Sequence, residues 1–271
     1  MGNCDRGSSY GLNKERFTPR SSFKRTLATE ASMCGRLTLQ TETDQLSNFL
    51  AKLQMPLFAK LGPRYNICPT QPVACIRQVN DSRRETAMLR WGLVPFWSKE
   101  LKIGARMINA RSETVTTKPA FRAAFRARRC LIVADGFYEW KKTGKTKQPY
   151  YISRNDRQPF FMAGLWESWQ NKNKAGDDSA QAVETCSVLT TEANPLMQPL
   201  HDRMPVILEP PKVDIWLDNQ FEDRNQLQKL LVPYAANEFQ TWPVSTRVNK
   251  PGNDHPDCIE PIKITGSLFP E

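Results

Sequence analysis

Histidine is scarce in this sequence, and long apolar runs are absent from it. Only two of the 271 residues are histidine, and the seven cysteines, an odd number, include no C-x-x-C pair. This usage excludes a disulfide framework and a zinc ribbon, and it favours a reducing, intracellular compartment. No segment approaches the ~20 consecutive apolar residues of a membrane helix. We therefore expect no metal, no cofactor and no membrane partner.

Acidic charge is also in short supply, which leaves a basic chain. The formal net charge is +10 at pH 7, and residues 1–32 hold six basic against three acidic side chains. An excess of this size suits a polyanionic partner, because neutralising phosphates releases counterions. Charge alone fits a solvated basic surface equally well.

Composition divides the chain into a short leader and one domain. Residues 1–33 are rich in Ser, Thr, Arg and Gly and show no apolar periodicity. We interpret them as a disordered leader that is removed or not translated, and organelle targeting is an alternative role that their three acidic residues weaken. Residues 34–268 hold dense secondary-structure signals without a Gly/Ser linker, which predicts a single domain and a monomer.

The domain reads as α+β, with a mostly antiparallel, barrel-like sheet and flanking helices. Apolar residues at 46, 49, 50 and 53 predict an amphipathic helix, with Thr41 and Asp44 as a capping box before it. Residues 142–145 predict a hairpin turn. Further helices are predicted at 210–217 and 223–232. Strands are predicted at 34–40, 73–77, 86–93, 130–134, 137–141, 149–153, 159–165, 184–190 and near 239–247, with a Pro-rich loop at 63–72.

Reactive or hydrogen-bonding groups occur in four short segments where packing residues are expected. These segments are 33–36 (MCGR), 108–113 (INARSE), 134–140 (ADGFYEW) and 200–205 (LHDRMP). In this order they resemble the SOS response-associated peptidase (SRAP) family of abasic-site processing proteins. Further matches lie at 63–66 (PRYN), 90–95 (RWGLVP), 243–245 (PVS) and 248–249 (VN), so that the resemblance spans nearly all of 33–268.

The resemblance implies a catalytic group built around an N-terminal cysteine. In that family the mature chain begins at the position of Cys34, and the positions of Glu139 and His201 belong to the active site. Asn109 matches a position suited to holding the cysteine or the opened sugar. Each residue also has a purely structural interpretation. Cys34 would then be a small buried apolar residue, and Glu139 a solvent-facing residue on an alternating strand.

The chemistry of such a cysteine is specific to a free N-terminus. An abasic site is in equilibrium with a ring-opened aldehyde, and an N-terminal cysteine offers an amine and a thiol that close a thiazolidine on it. Glu139, placed among aromatic residues, is suited to exchange protons during ring opening, and His201 to move the proton of the Schiff base. His255 lies in a polar loop, which favours a structural role.

DNA contacts are expected from cations and aromatic rings beside these positions. Arg36, Arg111 and Arg203 each lie one or two residues from a predicted catalytic position, where a guanidinium fixes a phosphate. Trp91 with Gly92, and also Trp97, are candidates for stacking on an unpaired base. The matching loops add three further DNA-binding candidates, which are Arg64, Asn66 and Thr190.

The sequence departs from the family pattern at its start, since 33 residues precede Cys34. Translation from Met33, proteolytic or self-catalysed removal of the leader, and an unprocessed inactive chain are the three explanations. The leading hypothesis is an intracellular enzyme in the nucleus or nucleoid that crosslinks itself to abasic sites in single-stranded DNA and can reverse the link. The alternatives are a thiol peptidase or autopeptidase, and a non-catalytic reader of modified or single-stranded DNA.

Overall fold

Two β-sheets organise the part of the chain that the computed structural model describes, residues 35–80, 83–171 and 182–263. All of these residues belong to the unit Ser32–Glu271. The leader predicted at 1–33, together with Cys34, lies outside the described residues. The strands are β1 (Leu37–Leu39), β2 (Arg64–Ile67), β3 (Pro72–Gln78), β4 (Arg84–Trp91), β5 (Asn109–Arg111), β6 (Arg129–Ala134), β7 (Gly136–Thr143), β8 (Thr146–Arg154), β9 (Phe160–Trp169), β10 (Val183–Glu192), β11 (Arg203–Pro205), β12 (Ile207–Leu208) and β13 (Phe239–Pro243).

The larger sheet closes into a five-stranded barrel. Its strands pair in the ring β3-β4-β10-β9-β6 and back to β3, and only the β4–β10 pair is parallel. Closing the ring removes free edges from these strands. The prediction of an α+β domain with a mostly antiparallel, barrel-like sheet is confirmed.

Strand β10 extends beyond the barrel, and this extension gathers functional groups. Its first half pairs with β4 and β9, whereas its second half pairs with β5 on one side and β11 on the other. Residues 92–108 leave the sheet between β4 and β5, so both strands follow the same edge of β10. Asn109 and Arg203, 94 positions apart, thereby come to lie on opposite edges of the second half of β10.

The second sheet is five-stranded, in the order β13-β8-β7-β1-β2. Successive side chains of its strands point to opposite faces, and both faces are buried. Phe137 and Ile152 face the main core, while Tyr138 and Tyr151 pack with Val244 and other C-terminal residues in a second cluster. The C-terminal segment therefore covers one face of the sheet that carries Glu139.

In the described part of the chain, four short α-helices accompany the sheets: α1 (Thr43–Lys52), α2 (Arg122–Ala127), α3 (Pro210–Leu217) and α4 (Arg224–Lys229). Helix α1 lies where periodicity predicts it, but the predicted capping box is wrong. The helix N-cap is Glu42 without a side-chain bond, and the Thr41 hydroxyl instead donates to Asp135 at 2.8 Å. Within the described residues, no helix is long and apolar enough to cross a membrane.

Two other local predictions also need correction. The Pro-rich segment 63–72 is not a plain loop, because it contains β2, which pairs with β1. Near 239–247 only residues 239–243 form a strand, and the 3-10 turn Thr246–Asn249 follows. The predicted hairpin turn at 142–145 is confirmed by the pairing of Thr143 with Thr146.

Candidate active site

The segment that follows Cys34 is bound alongside the strand that carries Glu139. In the antiparallel register, Leu37 pairs with Phe137, and the Tyr138 amide donates to the Arg36 carbonyl at 3.1 Å. Continuing that register places Gly35 across from Glu139. Glu139 lies on the Phe137 face of β7 and is only 2% exposed, so it is not a solvent-facing residue.

Asp135, at the junction of β6 and β7, fixes the exit of β1. Its Oδ1 accepts the Thr38 hydroxyl at 2.5 Å, and its Oδ2 accepts the Gln40 amide at 2.6 Å and the Thr41 amide at 2.8 Å. Burial raises the pKa of the Asp135 carboxyl, and these hydrogen bonds act in the opposite direction. The carboxyl therefore anchors the chain that leads from the site into helix α1.

Arg36 and Asn66 together hold the C-terminal loop against the sheet. The Arg36 guanidinium donates to Asn66 Oδ1 at 2.8 Å and to the carbonyls of Val248 and Asn249, and it lies 5.8 Å from the Trp140 ring centroid. The Asn66 amide donates to the carbonyls of Val248, Lys250 and Asn253 at 2.6 to 3.2 Å. Asn66 is fully buried, and its amide is fully used within the protein. This bonding contradicts a direct DNA contact by Asn66 and gives both side chains a positioning role.

Replacing Asn66 with alanine is expected to lower the free energy of unfolding by about 2–4 kcal/mol, because several buried carbonyls lose their donor. Chemical denaturation would measure the change. The matched control is Asn155→Ala, since Asn155 is exposed and donates one bond, to the Asn237 carbonyl at 2.6 Å. Equal effects from the two substitutions would show that the Asn66 network does not hold the loop.

Arg64 also joins the C-terminal loop to the sheet. Its guanidinium forms an ion pair with Asp254 and donates to Gln71 Oε1 at 2.9 Å. Asp254 in turn accepts the amides of Tyr65 and Asn66. Burial acts to raise the pKa of Asp254, but Arg64 and these amides lower it. Arg64 is half-buried and remains a DNA-binding prediction.

A second group of predicted residues meets at the extended end of β10. Val188 pairs with Asn109, Thr190 pairs with Arg111, and Glu192 pairs with Arg203. This pairing brings together residues from three separate sequence motifs. Arg111 is exposed at the end of β5, whereas the Thr190 side chain is buried.

The Arg203 guanidinium is fixed by Glu113 and the backbone of β10. It donates to the two Glu113 carboxylate oxygens at 2.6 and 2.9 Å and to the Thr190 carbonyl at 2.7 Å. Burial acts to raise the pKa of Glu113, but the Arg203 guanidinium lowers it below the ordinary value. Such a two-oxygen pair orients the guanidinium closely. The site therefore includes a rigidly placed cation.

His201 lies two residues before Arg203, with its ring mostly buried. Its Nδ1 is 2.7 Å from Asp202 Oδ1 and 3.1 Å from the Arg203 amide nitrogen. A proton on Nδ1 bonds to the carboxylate, whereas a bare Nδ1 accepts the amide hydrogen. Nδ1 of the imidazole therefore has a hydrogen-bond partner whether or not it carries a proton.

The stacking prediction for Trp91 and Gly92 is wrong. Trp91 is 0% exposed, and its indole donates to the Ile108 carbonyl at 2.9 Å, so neither ring face reaches solvent. Gly92 has φ +122°, and a Cβ there would lie 2.5 Å from the Gly104 carbonyl oxygen. Both residues close the base of the 92–108 loop.

The exposed aromatic rings of that loop lie four and five residues after Gly92. Phe96 is 51% exposed and Trp97 is 47% exposed. The backbone just before these rings is attached to β10, since the Val94 amide donates to the Thr185 hydroxyl at 2.9 Å. Trp97 is among the stacking residues predicted from sequence, whereas Phe96 is not. An aromatic residue directly beside Trp97 is the signal that could have identified it.

Two groups of predicted residues thus lie on separate sheets. One group contains Arg36, Arg64 and Asn66, which lie in or beside the sheet that carries Glu139. The other lies along the second half of β10 and contains Asn109, Arg111, Thr190, His201 and Arg203. The sequence did not single out Asp135 as an anchor. The feature that could have identified it is an acidic residue between two apolar strand segments.

Comparison with known proteins identifies the family. The family model described as "SOS response associated peptidase (SRAP)" matches residues 33–251. The chain therefore belongs to the SRAP family, as its motifs indicated.

Its relatives include proteins from bacteria and vertebrates. The Bacillus subtilis protein named abasic site processing protein YoqW is 41% identical over 230 residues, covering 84% of this chain and 99% of YoqW. The Xenopus tropicalis protein named abasic site processing protein HMCES is 32% identical over 240 residues, covering 78% of this chain and 70% of HMCES. A crystal structure of a Bacteroides thetaiotaomicron protein has the same fold, with a TM-score of 0.72, 24% identity, and coverage of 85% of this chain and 100% of that protein.

Proposed function

We propose that this chain processes abasic sites in single-stranded DNA by linking itself to them through Cys34. The observation that carries the proposal is the register of β1 against β7, whose continuation places Gly35, the residue after Cys34, across from the buried Glu139. Membership of a family whose relatives are named abasic site processing proteins supports it, and so does the net charge of +10.

The proposed reaction needs Cys34 to be the first residue of the chain. Its free amine attacks the aldehyde carbon of the ring-opened abasic sugar, and loss of water gives an imine. The thiolate then adds to the imine carbon, and the nitrogen takes up a proton, which closes a thiazolidine. Aldehyde and aminothiol thus give thiazolidine and one water, without an oxidant or a reductant. An α-amine with a pKa near 7.7–8.0 is partly unprotonated at neutral pH, as the attack requires.

Two side chains of this chain serve the proton transfers, and a third orients the substrate. Glu139, held in β7, exchanges protons with the amine and with the sugar hydroxyl that leaves as water. His201 shuttles a proton, since both states of its Nδ1 have a partner within 3.1 Å. Asn109 orients the opened sugar with its amide group.

The DNA strand is held by cations and by the loop aromatics. Arg111 and Arg203 lie at one end of β10 and bind phosphates beside the lesion. Phe96 and Trp97 offer exposed rings to an unpaired base, and stacking of this kind tolerates any sequence. Arg36 acts indirectly, by holding the C-terminal loop.

Exposure of Cys34 is the activating step of the proposal. Residues 1–33 are absent from the active form, either because a protease or the domain itself cuts after Met33 or because translation begins at Met33 and this methionine is then removed. The protein is then a DNA-crosslinking enzyme of the cell interior that acts as a monomer. Reversal of the crosslink by water, with His201 and Glu139 returning the protons, releases the chain.

The test compares three proteins on a single-stranded oligonucleotide that contains one abasic site. The protein that begins at Cys34 should give a heat-stable, slower-migrating adduct. A Cys34→Ser version and a chain that retains Met33 before Cys34 should give none, because one lacks the thiol and the other the free amine. Equal adduct from all three would overturn the proposal.

The competing functions would produce different outcomes. Turnover of a general peptide substrate without a DNA adduct would identify a thiol peptidase. Equal binding of damaged and intact strands without an adduct would identify a non-catalytic reader.

A further inference from the structure

The hairpin that joins β7 and β8 extends beyond the rest of its sheet. The two strands remain paired from Lys141 and Gln148 out to Thr143 and Thr146. The neighbour β1 pairs with β7 only around Phe137, and β13 pairs with β8 no further than Tyr150. Within the described residues, 141–148 is therefore a two-stranded projection, which we call the lysine ribbon.

The charge of the lysine ribbon is all of one sign. Its eight residues, KKTGKTKQ, contain four lysines and no acidic residue. Every residue from 142 to 147 is exposed. Lys142 and Lys147 stand directly opposite each other in the register. Like charges directly opposite each other repel and destabilise a strand pair. A bound polyanion would offset this repulsion.

The ribbon continues directly from the strand that carries Glu139. Lys142 follows Glu139 by three residues along β7, which at about 3.3 Å per residue separates their Cα atoms by roughly 10 Å. At the base of the ribbon, Trp140 Nε1 donates to Asn249 Oδ1 at 2.7 Å. At its tip, Gly144 supplies the positive φ of 59° that a two-residue hairpin turn requires.

We propose that the lysine ribbon binds the phosphate backbone of the nucleic-acid strand that flanks the lesion. The inference rests on the proposed function for the lesion itself, and it adds a contact that lies outside the catalytic group. The lysines act as point charges on phosphates, so they contribute affinity without sequence preference.

Lys147→Glu is the sharpest test, because it separates folding from binding. The substitution places a glutamate opposite Lys142, so the melting temperature should stay the same or rise. Affinity for an undamaged 20-nucleotide single strand should fall about fivefold at low salt. The slope of log K against log salt should become shallower by about 0.7 for each phosphate that the variant no longer neutralises.

Lys52→Glu is the matched control, since it makes the same change of charge at an exposed position in the last turn of α1. This control should leave both affinity and salt slope nearly unchanged.

The outcomes distinguish this inference from the proposed function. If Lys147→Glu and Lys52→Glu bind DNA with the same affinity and the same salt slope, phosphate binding by the ribbon is overturned, even when the adduct forms. If Lys147→Glu alone weakens binding, phosphate binding by the ribbon stands, even when the wild-type protein forms no adduct.

Discussion

Replacing Glu139 with glutamine is expected to slow adduct formation by about two to three orders of magnitude, the usual contribution of a positioned acid or base. Glutamine has nearly the same shape, so the buried position in β7 should stay filled. It cannot exchange a proton with the Cys34 amine or with the departing hydroxyl. Single-turnover kinetics on an abasic oligonucleotide, followed by gel mobility, would measure the rate.

Glu167→Gln provides the control for this substitution. Glu167 is also a buried glutamate in a strand, 5% exposed, but it lies in β9 and is paired with Arg128 at 2.7 Å. We expect Glu167→Gln to lower stability while leaving the rate unchanged. A Glu139→Gln protein that reacts at the wild-type rate would remove Glu139 from the mechanism.

Asp135→Ala is expected to cost about 3–5 kcal/mol of unfolding free energy, because it leaves several buried donors without an acceptor. Those donors lie on Thr38, Gln40 and Thr41, which connect the site to α1. Adduct formation should slow as well, since β1 then loses its anchor beside Glu139. Urea denaturation and the same kinetic assay would measure the two effects.

Asp135→Asn should be much milder, and the pKa of Asp135 explains the difference. Burial raises this pKa above its ordinary value, so the native state holds the proton more tightly than the unfolded chain does. The resulting stabilisation is present below the ordinary pKa and is lost as pH rises through the raised native pKa. Asparagine resembles the protonated acid, with one oxygen for the amide donors and an NH₂ towards Thr38.

The pH dependence provides a second test of the Asp135 anchor. Relative to wild type, Asp135→Asn should gain stability as pH rises from the ordinary carboxyl range through the raised native pKa. A difference between the two proteins that does not change with pH would show that the carboxyl does not titrate as its burial requires.

Local sequence patterns predicted much of the fold because turns and amphipathic helices depend on residues that are close in sequence. The hairpin turn depends on Gly144 and its immediate neighbours, and α1 depends on an apolar stripe that repeats within ten residues. The capping box failed for a long-range reason. Thr41 bonds to a carboxylate 94 positions away, and no local motif contains that partner.

The error at Trp91 has a different origin. Tryptophan beside glycine suits both a binding platform and the core, and the sequence contains no measure of exposure. The two-residue alternation of β4 did contain the answer, because Leu89 and Trp91 share one face and both are 0% exposed. The exposed rings lie beyond the strand, at Phe96 and Trp97, where alternation no longer applies.

The spacing of the motifs along the sequence did not predict that the residues beside β10 come together. Asn109 and Arg203 both lie beside the second half of β10 because β10 pairs with β5 on one edge and with β11 on the other. Such non-local pairing is set by the whole sheet. The family motifs identified these residues, whereas the sheet topology explains why they lie together.

The most direct measurement is the mass of the peptide that carries DNA. The Cys34-initiated protein would be reacted with an abasic oligonucleotide, without borohydride, then digested with nuclease and trypsin. The sugar remnant is expected on the tripeptide Cys34-Gly35-Arg36, with a mass equal to the sum of the two parts less one water. A remnant on a lysine, or an adduct that survives only after borohydride reduction, would contradict it.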